Sequence, residues 1–181
     1  MLLELYKQWF GKHGKTIMTT TVTSILRDGV TAAGVYPTLA AWRAALPANL
    51  VTADEVHILN VEAKAGGYTG VTLSLAGITT DATRYIKIQA AAGHRHAGVW
   101  DTSKAMFIAP SGNAGLITQG TDYFYCDGMQ LEHSGITDVA VSIGWNDVVG
   151  HAADWNYFTD IINAYGVDRF TKVEGCLFSH N

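Results

Sequence analysis

"YPTLAAWRAALPANLVTADEVHI", residues 36–58, holds one run of helix formers and then a change of period. Thr38 is placed to cap a helix, with Pro37 just ahead of it, because its side-chain oxygen can accept from a first-turn amide. Leu39, Trp42 and Leu46 recur at spacings of three and four and share one face, while Arg43 points away. The alanines between them combine high helix propensity with little bulk. Pro47 stops the run, since it has no amide hydrogen and crowds the preceding turn. The pattern predicts a helix over 38–46 that lies flat, with Trp42 pressed into an apolar surface.

Outward from that helix the chain reads as strand and turn. Upstream, "TTTVTSIL" (19–26) is β-branched and strand-like. Downstream, "EVHILNVEA" (55–63), "GVTLSLAG" (70–77), "RYIKIQAA" (84–91) and "KAMFIAP" (104–110) are short strands bounded by Gly, Thr, Asp or Ser. Val71, Leu73 and Leu75 alternate onto one side, as do Ile86 and Ile88, with Lys87 on the other. The 19 glycines and only 3 prolines suit many tight turns between short strands.

Composition narrows the class. The 181 residues are 48% apolar and 15% charged, which is the balance of a folded domain with a core. A formal net charge of −4 with no basic stripe argues against nucleic-acid binding. No apolar run is long enough to span a membrane. Glu4 and Lys7 interrupt the start as a secretory signal, so synthesis and folding in a cytoplasm are expected. The 2 cysteines, Cys126 and Cys176, form no CxxC pair and read as buried thiols, with a disulfide as the alternative.

The second half carries a weak internal repeat. "LITQGTDYFYCDGMQLEHSG" (116–135) matches "IINAYGVDRFTKVEGCLFSHN" (161–181) in its order of apolar pair, Gly, Asp, aromatic, acidic-Gly and strand. The acidic-Gly pairs, Asp127-Gly128 and Glu174-Gly175, set a spacing of 47. We read this as two turns of roughly 23 residues, in the range of short-period solenoids. The strand "VAVSIGW" (139–145) stands where the skipped turn belongs.

The phrases "YPTLAAW" (36–42), "PANLVTADEV" (47–56) and "ITTDATRYIKIQAAAGHRHAG" (78–98) resemble a right-handed parallel β-helix group, pectate-lyase-like, of bacteriophage and environmental sequences. The resemblance covers about residues 30–135, reaches 136–181 only through the repeat, and leaves 1–29 outside. It implies an all-β fold: a short right-handed parallel β-helix (solenoid) with an N-terminal capping helix and a helical arm. The expected division is an arm and connection over 1–29 and the β-helix domain over 30–181, with the cap at 38–46. A stack of coils would expose apolar core and unpaired strand edges at its first coil. Leu39, Trp42 and Leu46 are the residues expected to seal it, the tryptophan alone burying about 200 Å2. The closing "CLFSHN" (176–181) reads as strand, so the far mouth is expected to be covered by a partner or a second copy.

Residues 2–10 form the arm. Leu2, Leu5, Tyr6 and Trp9 fall at helical spacing with Phe10 beside them, and Gly11 and Gly14 end the run. So short a helix is marginal alone in water and needs a surface to lie on, its own domain or another subunit. Met18 is a second candidate start.

Chemistry is thin. Asp122, Asp127, Asp160, Asp168 and Glu174, with Arg169 and Lys172 nearby, are the candidate acids of a lyase or glycosidase. Two coils of separation would hold Asp127 and Glu174 about 10 Å apart, near the upper limit for an inverting pair. The simpler reading of acidic-Gly is a corner between strands. His94 and His96 lie two apart without a third ligand and read as loop. Trp100, Trp145, Trp155 and Tyr157 are candidate sugar-stacking rings. No catalytic, metal or cofactor site is assigned. The expectation is a non-enzymatic structural virion protein of a bacteriophage, a head decoration protein or a fibre or spike subunit. Its partners would be a second copy and a capsid or tail protein, with a surface glycan as a further one. The alternative is a carbohydrate-active β-helix protein, either a polysaccharide lyase or glycosidase or a glycan-binding module.

Overall fold

A computed structural model describes residues 19–108, 117–118, 123–133, 170–174 and 177–180. These residues are mostly sheet. The strands are β1 (Thr20–Leu26), β2 (Val35–Tyr36), β3 (Glu55–Val61), β4 (Leu73–Ser74), β5 (Ile86–Ala90), β6 (Met106–Ile108), β7 (Ile117–Thr118), β8 (Tyr123–Asp127), β9 (Gln130–His133), β10 (Phe170–Glu174) and β11 (Leu177–His180). Two short helices, α1 (Leu39–Ala45) and α2 (Leu50–Ala53), separate β2 from β3.

Every strand pairing among the described residues is parallel. A six-stranded sheet runs β10-β8-β5-β3-β1-β2, a three-stranded sheet β11-β9-β6, and a two-stranded sheet β4-β7. Parallel neighbours cannot be joined by a hairpin, so the chain must travel away and come back between them. Thr20 lies opposite Glu55, His57 opposite Ile86, Ile86 opposite Phe124, and Phe124 opposite Thr171. In these four pairings the return varies from 29 residues (57 to 86) to 47 residues (124 to 171), whereas β2 follows β1 after only 10 (25 to 35).

The core lies between the sheets. Leu59, Val61, Ile86, Ile88, Phe124 and Cys126 face inward from the six-stranded sheet, Phe107 and Leu131 from the second, and Leu73 from the third; all are buried together with Leu39 and Trp42 of α1. The alternation expected around β4 holds: Val71, Leu73 and Leu75 are buried while Thr72, Ser74 and Ala76 are exposed. Only Leu73–Ser74 pair as strand there, however. The inward pattern needs burial on one face, which an irregular extended segment meets as well as a ladder does. β2 and α2 have no counterpart in the sequence reading. β1, assigned to the connection ahead of residue 30, is paired to β3 along its whole length.

The 47-residue repeat is real, and its two-turn interpretation is not. Asp127 pairs with Glu174, and Leu131 with Phe178, across directly adjacent strands. No strand is interposed in the ladder, so the spacing is one long return. The stretch 139–145 lies outside the described residues.

Candidate functional site

One candidate region is the β1 end of the sheets, where α1 packs. Thr38 caps α1, accepting from the Ala41 amide at 3.1 Å. Leu39 and Trp42 are buried, Trp42 at 1% exposure, and Leu46 beyond the last turn is buried at 8%. The helix packs against β1, β2 and β4. Arg43 does not point away, as the helical wheel predicts. Its Nε donates to the Ser74 carbonyl at 2.8 Å and its Nη2 to the Ala76 carbonyl at 2.9 Å, tying α1 to the end of β4. A long stem and a forked head let an arginine at the rim of the apolar face reach carbonyls that the helix itself does not cover. α2 follows, capped by Asn49, and the Leu50 amide donates to the Thr79 carbonyl at 2.9 Å. Asp54 ends α2 in the left-handed region (φ 57°). Its carboxylate accepts from Arg84 Nε at 2.8 Å, and Arg84 also reaches Asp81 at 3.0 Å.

The second place is the outward face of the six-stranded sheet, where Asn60, Gln89, Asp127 and Glu174 occupy one register column. Gln89 Nε2 donates to Asn60 Oδ1 at 2.8 Å. Asp127 is held by Lys87 at 3.1 Å and Arg95 at 2.7 Å, one cation on each oxygen. The rings of Tyr85 and Tyr125 meet edge-on at 4.7 Å beside this column. Glu174 is one strand from Asp127, about 4.8 Å by strand spacing and not two coils away. Asp127 ends β8, and Gly128 turns the chain into β9 with φ 66°. The acidic-Gly corner is therefore borne out at this pair. Both oxygens of Asp127 are engaged by cations, which favours its ionised form.

A loop over residues 91–105 connects β5 to β6 beside that corner, and the HRH stretch lies in it. His94 Nδ1 accepts from the Ala63 amide and His96 Nδ1 from the Gly98 amide, each at 3.0 Å. Neither imidazole joins a group of three metal-type ligands among the described residues. The loop is strapped to the next strand. The fully buried Gln130 side chain accepts from the Asp101 amide at 2.6 Å and donates to the Asp101 carbonyl at 2.7 Å. Sequence reasoning missed Gln130 and Arg95, and their signal is only visible afterwards: a polar residue inside an apolar run, and a lone arginine 32 residues before an acidic-Gly corner.

Leu2, Leu5, Tyr6, Trp9 and Phe10 of the arm lie outside the described residues, as do Asp122, Asp160, Asp168, Arg169, Trp145, Trp155, Tyr157 and Cys176. Cys126 is buried and Trp100 half-buried. No helix among the described residues is long and apolar enough to cross a membrane. Compared with known proteins, the chain matches no family model, no curated protein and no solved structure.

Proposed function

We propose that the three sheets are walls of one short right-handed parallel β-helix, that α1 closes its first coil through Leu39, Trp42 and Leu46, and that the protein is a structural component of a phage virion. The observation that supports the fold is the order in which the chain visits the sheets. β3 lies in the first sheet, Tyr68 bridges to Phe107 of the second, and β4 lies in the third. β5, β6 and β7 repeat that order, and β8 with β9, then β10 with β11, begin it again. Connections between parallel strands are overwhelmingly right-handed, which supports that hand.

The virion role rests on the family resemblance of residues 30–135. A tube of continuous parallel ladders suits it, because each coil is supported on both sides by its neighbours. The arm would dock on a capsid or tail protein, and the far end would meet a second copy. Particles assembled with a chain lacking residues 1–17 are expected to lose the protein while its β signal in circular dichroism persists. Normal incorporation of that truncated chain would remove the docking role of the arm.

A carbohydrate-binding or carbohydrate-cleaving role is the second reading. It is favoured by the Tyr85–Tyr125 pair beside Asn60, Gln89 and Asp127 on an outward face. Loss of viscosity in acidic or neutral polysaccharides, abolished by Asp127→Ala, would establish it in place of the structural role.

A further inference from the structure

Tyr85, just ahead of β5, and Tyr125 of β8 lie on the outward face of the six-stranded sheet, with ring centres 4.7 Å apart and planes at 62°. We propose that these two tyrosines are an oxidative coupling site, at which a peroxide-driven one-electron oxidant joins them as a dityrosine within one chain. The inference goes beyond the virion and carbohydrate readings and stands on the β5–β8 pairing alone.

The ladder sets the pair. Ile86 stands opposite Phe124 and Lys87 opposite Tyr125, so Tyr85 falls level with Tyr123 and diagonal to Tyr125. Ile86 and Phe124 point into the core. Their neighbours Tyr85, Lys87, Tyr123 and Tyr125 therefore share the other face, since side chains alternate along a strand. Tyr85 and Tyr125 are each half-buried, which holds the rings and still leaves part of each residue open to solvent. A bond between two rings sets their centres about 4.3 Å apart, two ring radii plus one carbon–carbon bond. Crowding of the substituents beside that bond twists the planes away from each other. The observed separation and twist are thus close to those of the coupled product. The other ring pair of a described tyrosine lacks these features: Tyr68 meets Phe107 at 5.9 Å, is buried, and faces a ring with no phenol.

In the coupling, each phenol gives up one electron and its hydroxyl proton and becomes a phenoxyl radical. The unpaired spin reaches the carbon ortho to the oxygen, and the two ortho carbons form one new carbon–carbon bond. The hydrogen on each ortho carbon then leaves as a proton while each oxygen takes one up, restoring two phenols. The two electrons and two protons lost overall reduce one hydrogen peroxide to two waters. The link closes 40 residues of chain (85 to 125) between neighbouring strands and narrows the unfolded ensemble as a disulfide does.

The test treats the full chain, dilute and folded, with a haem peroxidase and limiting hydrogen peroxide. The monomer band is expected to gain dityrosine fluorescence. Digestion should yield one species, two hydrogens lighter than its parts, that joins the peptide holding Tyr85 to the peptide holding Tyr125. Tyr85→Phe and Tyr125→Phe should each abolish that species, and Tyr36→Phe should leave its yield unchanged; circular dichroism checks that each variant is folded. The linked chain should unfold at higher urea than the untreated one. Linkage only between chains, linkage of Tyr85 to Tyr123 in place of Tyr125, or no linkage at all overturns the proposal. A lower urea midpoint in the linked chain also overturns it, because the rings would then have to leave their native geometry to couple.

Discussion

Trp42 sets the energetics at the scale of one side chain. It is 1% exposed beneath a seven-residue helix that has little other bulk to bury. Truncation to alanine removes most of the contact between α1 and the sheets, and Trp42→Ala is expected to cost about 3–5 kcal/mol in urea unfolding. Its indole Nε1 is buried with no acceptor among the described residues. An unsatisfied buried donor is itself unfavourable by about 1–3 kcal/mol. Trp42→Phe keeps most of the ring and removes that donor, so it should fall well short of the alanine variant. Equal losses in the two variants would mean that Nε1 has a partner after all.

Among the elements, the corner after β8 is the most constrained. A side chain at Gly128 would meet φ 66° and also the guanidinium of Arg95, with a Cβ only 2.7 Å from Arg95 Cζ. Gly128→Ala is therefore expected to destabilise by about 1–3 kcal/mol. It should also release Arg95 from Asp127, so that the added effect of Arg95→Ala becomes smaller in the Gly128→Ala background than alone; strictly additive losses in that cycle would separate the two. The elements that the sequence made legible are those whose signal is local. β1, β3 and β5 carry β-branched residues in an extended pattern, β6 is a short apolar run, and α1 carries a cap, an apolar stripe and a proline stop. β2 and α2 are too short for a period to show, and both are held by distant groups: Gly34 and Tyr36 carbonyls accept from Ile25 and Arg27, and Thr79 accepts from Leu50. The same division applies to side chains. Leu39 and Trp42 were readable from their spacing, whereas Arg43 and Gln130 act on partners 29 to 33 residues away that no local pattern reveals.

For the whole molecule, pH acts through groups in the connections between strands. The Arg27 side chain, donating to Glu62 at 2.6 Å, holds that carboxyl below its ordinary range. Asp81 is pushed upward by burial, but hydrogen bonds from Thr83 and Arg84 together outweigh that and leave it lowered. A carboxyl lowered in the folded state stabilises above its unfolded value and loses that contribution as pH falls through the folded one. At the other end, burial pushes the Tyr68 hydroxyl up to about 12, and it donates to the Leu26 carbonyl at 3.3 Å. That contribution is complete below the ordinary phenol value of about 10 and is lost as pH rises from there toward 12. The urea midpoint should be level from about pH 5 to 9 and fall on both sides. Tyr68→Phe should remove part of the alkaline fall alone. An unchanged alkaline limb in that variant would assign it to other groups.

The detour from β5 to β6 has a practical meaning. The equivalent passage from β8 to β9 needs only Gly128 and Met129, so the longer route is not required by the ladders on either side. It is stapled at both shoulders, by Arg95 on Asp127 and by Asp101 on Gln130, and between them Val99 stands 67% exposed. Such a loop is a ready handle for display: a foreign epitope inserted directly after Val99 should be presented to antibodies while the melting temperature of the carrier hardly moves.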